Sequence, residues 1–235
     1  MNILAFIPAR GGSKSVHLKN MIRLDECPLV GWSLKAACES DVFQRVVVST
    51  DHGQIKDYCT SNWPEAAVVE RPKHLRDGRS YPIQNVVIDF IRTLEKGDKP
   101  HAVALFQPTS PFVRQYQIEH LALQLKQPDV HCAYTITSVP HNYHWCNQRV
   151  VKDKNVSFMF PGKRQQAYNK QKKEQMYKFG NLVMTKTQYI KDGFFSDPAA
   201  YLEIDRFDAA DIDDITDYKV AQTMVEAGYW ENGDR

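Results

Sequence analysis

At 235 residues, with 43% hydrophobic residues, 25% charged residues and a formal net charge of +2, the chain has the composition of a soluble domain large enough to bury a full core. No run of about 18 apolar residues occurs, which excludes a membrane-spanning helix, and the first eight residues lack the basic start and long apolar core of a signal peptide. The five cysteines (Cys27, Cys38, Cys59, Cys132 and Cys146) are scattered and form no CxxC pair, so neither a disulfide framework nor a zinc site is expected, and a cytoplasmic location is.

Taken in chain order, residues 3–7 read as a buried strand, because the run is short, apolar and closed by Pro8. A helix is expected over 29–40, a strand over 46–49 and a second helix over 54–62. A third helix is expected over 82–94, where Val86, Val87, Phe90, Ile91 and Leu94 recur at helical steps. A strand over 103–106, a helix over 117–126 and a strand over 133–137 complete this alternation. Strands and helices that alternate through short links imply βαβ units, hence a doubly wound α/β fold around a mostly parallel sheet.

The alternation breaks near Ser138. Residues from about 138 to 180 are polar, aromatic and basic without periodicity, and Tyr143, Trp145, Phe158, Phe160 and Tyr168 need a surface to pack on. The stretch reads as an excursion from a single domain spanning 1–235, with a subunit interface, and so a homodimer, as its natural partner. Strands over 182–184 and 201–204 and a helix over 217–227 close the chain. Nine Lys or Arg lie between Arg149 and Lys178, and seven acids between Glu203 and Asp217, a polarity that suits either two faces of one site or two solvated surfaces.

Ligands of doubly wound sheets bind beyond the carboxyl ends of the strands, which directs attention to residues 8–20, 50–53 and 107–114. In the first, Ala9-Arg10-Gly11-Gly12-Ser13-Lys14 leads on to Lys19-Asn20. Paired glycines let backbone N–H groups approach an anion, Arg10 can fork onto phosphate oxygens, and Lys14 and Lys19 add point charges. The pattern is neither GxxxxGK[ST] nor GxGxxG. Asp211 and Asp213, two apart on an extended segment, point to one side and offer the hard oxygens that suit Mg²⁺ beside substrate phosphates. Gln107, Thr109 and Ser110 lie in a loop stiffened by Pro108 and Pro111, with an amide and hydroxyls fit for sugar or carboxylate recognition. Arg114 can serve the same site or tie that loop down; Arg71, just before Pro72, can reach a base or ribose or form a surface ion pair. No histidine pair has metal-ligand spacing.

These segments, in this order, resemble the acylneuraminate cytidylyltransferase family, the CMP-sialic acid synthetases and their relatives. Pro8–Lys14 with Leu18-Lys19-Asn20 resembles the family's PARGGSK…LKN; Arg71-Pro72 with Leu75, Asp77 and Ser80 resembles its RP…L..D..S; Gln107–Arg114 resembles its QPTSPLR; Asp211-Ile212-Asp213 resembles its late acidic motif. The resemblance implies a Rossmann-like nucleotidyltransferase that moves CMP from CTP to an acidic acceptor, a sialic-acid-like nonulosonic sugar first, with release of pyrophosphate. It implies Mg²⁺ (or Mn²⁺) on Asp211 and Asp213, and Arg10, Lys19 and Asp211 as the catalytic set. Nucleotide contacts are expected from Ala9, Arg10, Gly11, Gly12, Ser13, Lys14, Asn20, Arg71 and Ser80. Acceptor contacts are expected from Gln107, Thr109, Ser110, Asn181 and the pair Phe194-Phe195, a pair that also suits ordinary core.

The chain departs from the family pattern in two places. Ser15 and His17 stand where relatives carry glycine and proline, and Phe179 and Val183 stand where an asparagine and a tyrosine contact the sugar. The acceptor therefore stays open between a nonulosonic acid, a Kdo-like acid and a phosphonate. A non-catalytic nucleotide-binding protein or an RNA-binding basic tract are readings of another class; nucleic acid and membrane are not expected partners.

Overall fold

The computed structural model describes residues 1–12, 16–76, 81–166 and 173–230. In chain order it contains β1 (Ile3–Pro8), β2 (Arg23–Leu24), β3 (Cys27–Pro28), α1 (Leu29–Cys38), β4 (Arg45–Thr50), α2 (Gly53–Asn62), β5 (Ala67–Glu70), α3 (Ile83–Thr93), β6 (Ala102–Phe106), α4 (Gln115–Leu125), β7 (Cys132–Ser138), β8 (Arg149–Lys152), β9 (Asn155–Phe158), α5 (Pro161–Gln166), β10 (Tyr177–Lys186), β11 (Ala199–Glu203) and α6 (Ile215–Glu226). Seven strands form one sheet in the order β11-β7-β10-β6-β1-β4-β5. Only β10 runs against its neighbours; the pairings of β1 with β4 and β6, β4 with β5, and β7 with β11 are parallel.

Side chains of successive strand residues point to opposite faces, and the central strands are apolar on both, as strands covered on two sides must be. Ile3, Ala5 and Ile7 of β1 join Leu34 of α1, Ile55 of α2 and Leu121 of α4 in one core. Leu4 and Phe6 join Val87 and Ile91 of α3 and Ile190 in the other. The sheet is therefore doubly wound. Because β4 and β5 lie on one side of β1 and β6 on the other, the strand order reverses between β1 and β6, and the crevice that this reversal opens lies at their carboxyl ends.

A third apolar cluster closes the sheet beyond that edge. Leu24, Leu29, Trp32, Phe112, Phe207, Ile212 and Ala221 pack together, with Phe112 stacked on Phe207 at 4.5 Å between centroids. This cluster binds the segment 204–214 to the loop that follows β6. The N-terminus of α6 is fixed by a reciprocal cap, in which Asp214 accepts from Thr216 and Asp217 N–H while Asp217 accepts from Asp213 and Asp214 N–H.

The structure differs from the sequence-based expectation in three elements. β5, not expected from sequence, is a short edge strand of four residues in which Val68 and Val69 are only partly buried and both ends are exposed. The stretch beyond Ser138 contains the hairpin β8–β9, whose strands pair only with each other and expose nearly every residue, so no periodic burial marks them. Its turn residues Asp153 and Lys154 both take positive φ, as a tight hairpin turn requires. β10 begins at Tyr177, five residues before the expected strand start, and carries a bulge between Phe179 and Val183. At that bulge a Cβ on Gly180 would lie 2.5 Å from Thr135 Oγ1, so glycine is what allows the close approach.

Candidate active site

The loop after β1 is held from below by its own backbone and by the end of β4. Ala9 N–H donates to Ser49 O at 2.9 Å and Gly11 N–H to the Asp51 carboxylate at 2.8 Å. Asn20 Nδ2 donates to Arg10 O at 2.8 Å, so Asn20 shapes the loop through its backbone. Gly11 rests on the ring of His52: a Cβ there would lie 2.6 Å from it. The Arg10 guanidinium makes no hydrogen bond or ion pair with the described residues. Ser13, Lys14 and Ser80, assigned to the nucleotide from sequence, lie outside the described residues.

Arg71 enters the same edge from the end of β5. It is 3% exposed; Nη2 has only a 3.5 Å contact with Ser49 O, and Nε is buried without a partner. Burial pulls its pKa below the ordinary arginine value, Asp51 opposes that fall and Arg10 adds to it. A buried guanidinium with an unused N–H beside a second arginine favours an anion or an acceptor atom at this edge.

Opposite this loop stands the acidic segment. Asp211 and Asp213 are exposed while Ile212 between them is 1% exposed, which turns both carboxylates away from the core, as the two-residue spacing predicts. Ile212 N–H donates to Thr109 O at 2.7 Å, and Ser110 Oγ lies 3.3 Å from Asp211 Oδ1. Lys19 bridges to it from the first loop: Nζ donates to Ile212 O at 2.8 Å and Asp213 O at 3.3 Å and lies 3.5 Å from the Asp213 carboxylate. Three widely separated segments thus meet at the β1–β6 crevice. Two carboxylates on one loop suit a Mg²⁺ that completes its octahedron with nucleotide phosphate oxygens. The described residues hold no group of three candidate ligands, so such an ion depends on a ligand for the rest of its shell.

The acceptor residues named from sequence divide. Asn181 is fully buried: Nδ2 donates to Phe112 O at 2.8 Å, Gln117 Oε1 at 2.9 Å and Asp208 O at 3.0 Å, and Oδ1 accepts from Thr135 Oγ1 at 2.9 Å. Its amide is spent inside the protein, because the bulge turns it inward, and this corrects its assignment to the acceptor. Phe194 is likewise core, 4% exposed and packed in the α3-side cluster. Phe195, by contrast, is 53% exposed and meets Tyr134 and Phe179 edge-on at 5.2 and 5.3 Å. It forms part of a cavity of about 450 Å³ with Tyr134, Ile136, Tyr177, Lys178, Phe179 and Tyr201, on one face of β7, β11 and the amino end of the antiparallel β10. Gln107, Thr109 and Ser110 line the loop between this cavity and the crevice.

Arg114 ties the loop down. Its Nε lies 2.9 and 3.0 Å from the two oxygens of Asp208, both side chains are buried, and the guanidinium covers Trp230 at 4.5 Å. Burial pushes the Asp208 carboxyl up and Arg114 pulls it back down. Sequence reading passed over Asp51, His52 and Asp208. The segment 50–53 was legible as an edge loop, but which of its side chains supports Gly11 depends on a contact across the sheet.

Residues 4–195 match a family described as Cytidylyltransferase. The chain is 30% identical over 229 residues to N-acylneuraminate cytidylyltransferase B of Danio rerio, covering 96% of this chain and 52% of the relative. It is 28% identical over 231 residues to CMP-N,N'-diacetyllegionaminic acid synthase of Legionella pneumophila subsp. pneumophila, covering 96% and 97%. A shorter match, 44% over 75 residues, covers 32% of this chain and 30% of 3-deoxy-manno-octulosonate cytidylyltransferase of Acaryochloris marina. The chain spans about half the length of both Danio rerio relatives it matches. In structure it is similar to a CMP:2-keto-3-deoxy-manno-octonic acid synthetase complexed with CTP, with a TM-score of 0.70, 13% identity and coverage of 97% and 100%. A 4-diphosphocytidyl-2C-methyl-D-erythritol synthase from Anaerococcus prevotii follows with a TM-score of 0.64, 12% identity and 96% coverage of each chain.

Proposed function

The chain belongs to the cytidylyltransferase family, and from that premise we propose that it transfers CMP from CTP to an acidic acceptor, a sialic-acid-like nonulosonic sugar in the first place, with release of pyrophosphate. The convergence of Arg10, Lys19 and the Asp211-Asp213 loop on one crevice carries this reading. Arg10, Lys14 and the amide of Gly12 take the triphosphate, Gly11 supports the loop through Asp51, and Arg71 and Ser80 meet the nucleoside. Asp211 and Asp213 hold Mg²⁺ or Mn²⁺, which when bound neutralises phosphate charge.

The acceptor lies over Gln107, Thr109 and Ser110 with Phe195 beside it. Its hydroxyl oxygen bonds to the α-phosphorus as the bond to the β-phosphate opens, the hydroxyl proton passes to solvent and pyrophosphate leaves. Rate comes from alignment and from charge placed where it develops, so no protein nucleophile takes part. Lys19 contributes by holding the acidic loop against the phosphate loop, which makes it a bridge as well as a charge.

The rest of the reading concerns assembly and place. The hairpin β8–β9 exposes Val151 at 74% and Val156 at 64%, and a lone hairpin is marginal in water, so a second copy covering it in a homodimer is the economical arrangement. Five free cysteines suit a reducing cytoplasm. No described helix is long and apolar enough to cross a membrane.

A second reading, a Kdo-like or phosphonate acceptor, is favoured by one observation: Phe179 lines the cavity and Asn181 does not. Pyrophosphate release from each nucleoside triphosphate, against a panel of nonulosonic acids, Kdo-like acids and phosphonates, separates these outcomes. Release with CTP and one acid class is expected. Release only with UTP or GTP overturns the cytidylyl reading; no release, with salt-sensitive binding to single-stranded RNA, overturns the enzyme reading.

A further inference from the structure

The scheme above leaves unused a buried ion pair three residues from Asp211. Asp208 meets Arg114 Nε through both oxygens, accepts from Gln117 Nε2 at 2.9 Å, and its backbone oxygen accepts from Asn181. Removing two charges from water is a poor way to gain stability, and an apolar pair of similar volume packs at least as well. What the ion pair adds is geometry: Arg114 Nε–H is shared between both Asp208 oxygens while Nη1 and Nη2 reach the Trp230 and Tyr229 carbonyls, and this set of directed charge-assisted bonds fixes orientation as packing does not.

The position of the pair shows what that geometry fixes. The segment 208–212 is fastened twice to the loop after β6, at Asp208 by Arg114 and at Ile212 by Thr109 O at 2.7 Å. Between the fastenings Ala209 O accepts from Lys178 Nζ at 3.3 Å, and Asp211 comes to 3.3 Å from Ser110 Oγ. The Asp208 fastening sets where the segment leaves the scaffold, three residues before Asp211, while Thr109 and Lys19 hold its far end.

Resting on the cytidylyl-transfer reading, we propose that the Arg114–Asp208 pair, steadied by Gln117 and Asn181, is a positioning device that sets the Asp211-Asp213 carboxylates for a nucleotide-bound divalent cation. The pair touches no reactant. It acts through the acidic loop.

The test uses the full chain, Mn²⁺ as the probe and CTP without acceptor, with free Mn²⁺ read by paramagnetic resonance. Asp208→Asn is expected to weaken Mn²⁺ binding in the presence of CTP about tenfold, the scale of lost outer-shell support, while CTP binding in EDTA stays within about twofold. Amide exchange should quicken at Ile212 and stay unchanged in β1 and β4. The double variant Arg114→Met/Asp208→Leu should melt no lower than the parent yet keep the weakened Mn²⁺ binding, which separates positioning from stability. Parental Mn²⁺ binding in the folded single variant, or its restoration together with stability in the double variant, overturns the proposal; should Asp208→Asn not fold, the double variant decides alone. Pyrophosphate release by the parent is measured alongside, so a failure of the cytidylyl reading shows in the parent and a failure of this proposal only in the variants.

Discussion

At the β1–β4 end of the carboxyl edge polar atoms are left over, whereas at the β7–β10 end they are spent on one another and aromatic rings face outward. Among the described residues the buried Arg71 Nε has no hydrogen-bond partner, and the Arg10 guanidinium makes no hydrogen bond or ion pair. Asn181, Thr135, Gln117, Asp208 and Arg114 instead form a closed, buried network beside a cavity walled by Phe179, Phe195, Tyr134 and Tyr201. The first arrangement anticipates an anion. The second takes what bulk and shape admit. Charge recognition must leave donors unsatisfied until the ligand arrives, and shape recognition must lock the wall that does the selecting.

Six substitutions and one pH measurement sharpen this contrast, from the largest expected effect down. Asp211→Ala or Arg10→Ala should lower kcat by about 10²–10³, the scale of one lost electrostatic group, with an unchanged melting temperature. Parental turnover in either variant removes that residue from the donor end. Gly11→Ala sets a methyl against the His52 ring and should slow turnover by up to about 10², as a displaced loop does. Adding His52→Gly, which removes the Cβ 2.7 Å from the new methyl as well as the ring, should recover much of the loss, and no recovery in steady-state kinetics breaks the claim that the His52 side chain supports the loop.

Asn181→Ala removes the side-chain donor to the Phe112 and Asp208 carbonyls and to Gln117 Oε1. It should cost at least about 2 kcal/mol, read as a fall in melting temperature of roughly 2–4 °C per kcal/mol, while KM for the acceptor holds in the folded fraction. A raised acceptor KM at full stability would return Asn181 to the acceptor. Phe195→Ala should raise acceptor KM about tenfold, equal to about 1.4 kcal/mol of aromatic contact, and leave KM for CTP within about twofold.

The smallest effect lies in the Asp214 cap, whose carboxyl is held below its ordinary value chiefly by the Asp217 N–H, with Thr216 N–H next. A depressed carboxylate stabilises the fold above its unfolded pKa, near 3.9, and loses that contribution as the pH falls through the folded value. Asp214→Ala should therefore lower the melting temperature near neutrality, and the difference should close in acid. A gap that stays constant with pH refutes the cap's charge dependence.

How much was legible follows the same division. The donor loop is contiguous in sequence, so its glycines and cations could be read as a unit, and the strand before it fixed where it opens. The acidic pair was legible because a two-residue spacing on extended chain has one geometric consequence. Asn181 was misread because its direction is set by a bulge that Gly180 permits against Thr135, a contact across strands that no local pattern carries. Phe194 and Phe195 have the same side chain in the loop between β10 and β11, and only the direction in which that loop turns each one separates core from cavity wall. The hairpin β8–β9 left no periodic trace because burial, the source of periodicity, is absent from both its faces.

The sequence by itself determined the alternation of strands and helices, the doubly wound class and the anion-ready loop at Arg10–Asn20, since each depends on neighbours along the chain. Tertiary structure alone decided that Lys19 bridges to the acidic loop, that the Asn181 amide and Asp208 are bonded inside the protein, and that aromatic rings wall the cavity beside Phe195. Those outcomes rest on which distant backbone oxygens and rings come within reach, and in a sheet ordered β11-β7-β10-β6-β1-β4-β5 the neighbours in space are seldom neighbours in sequence.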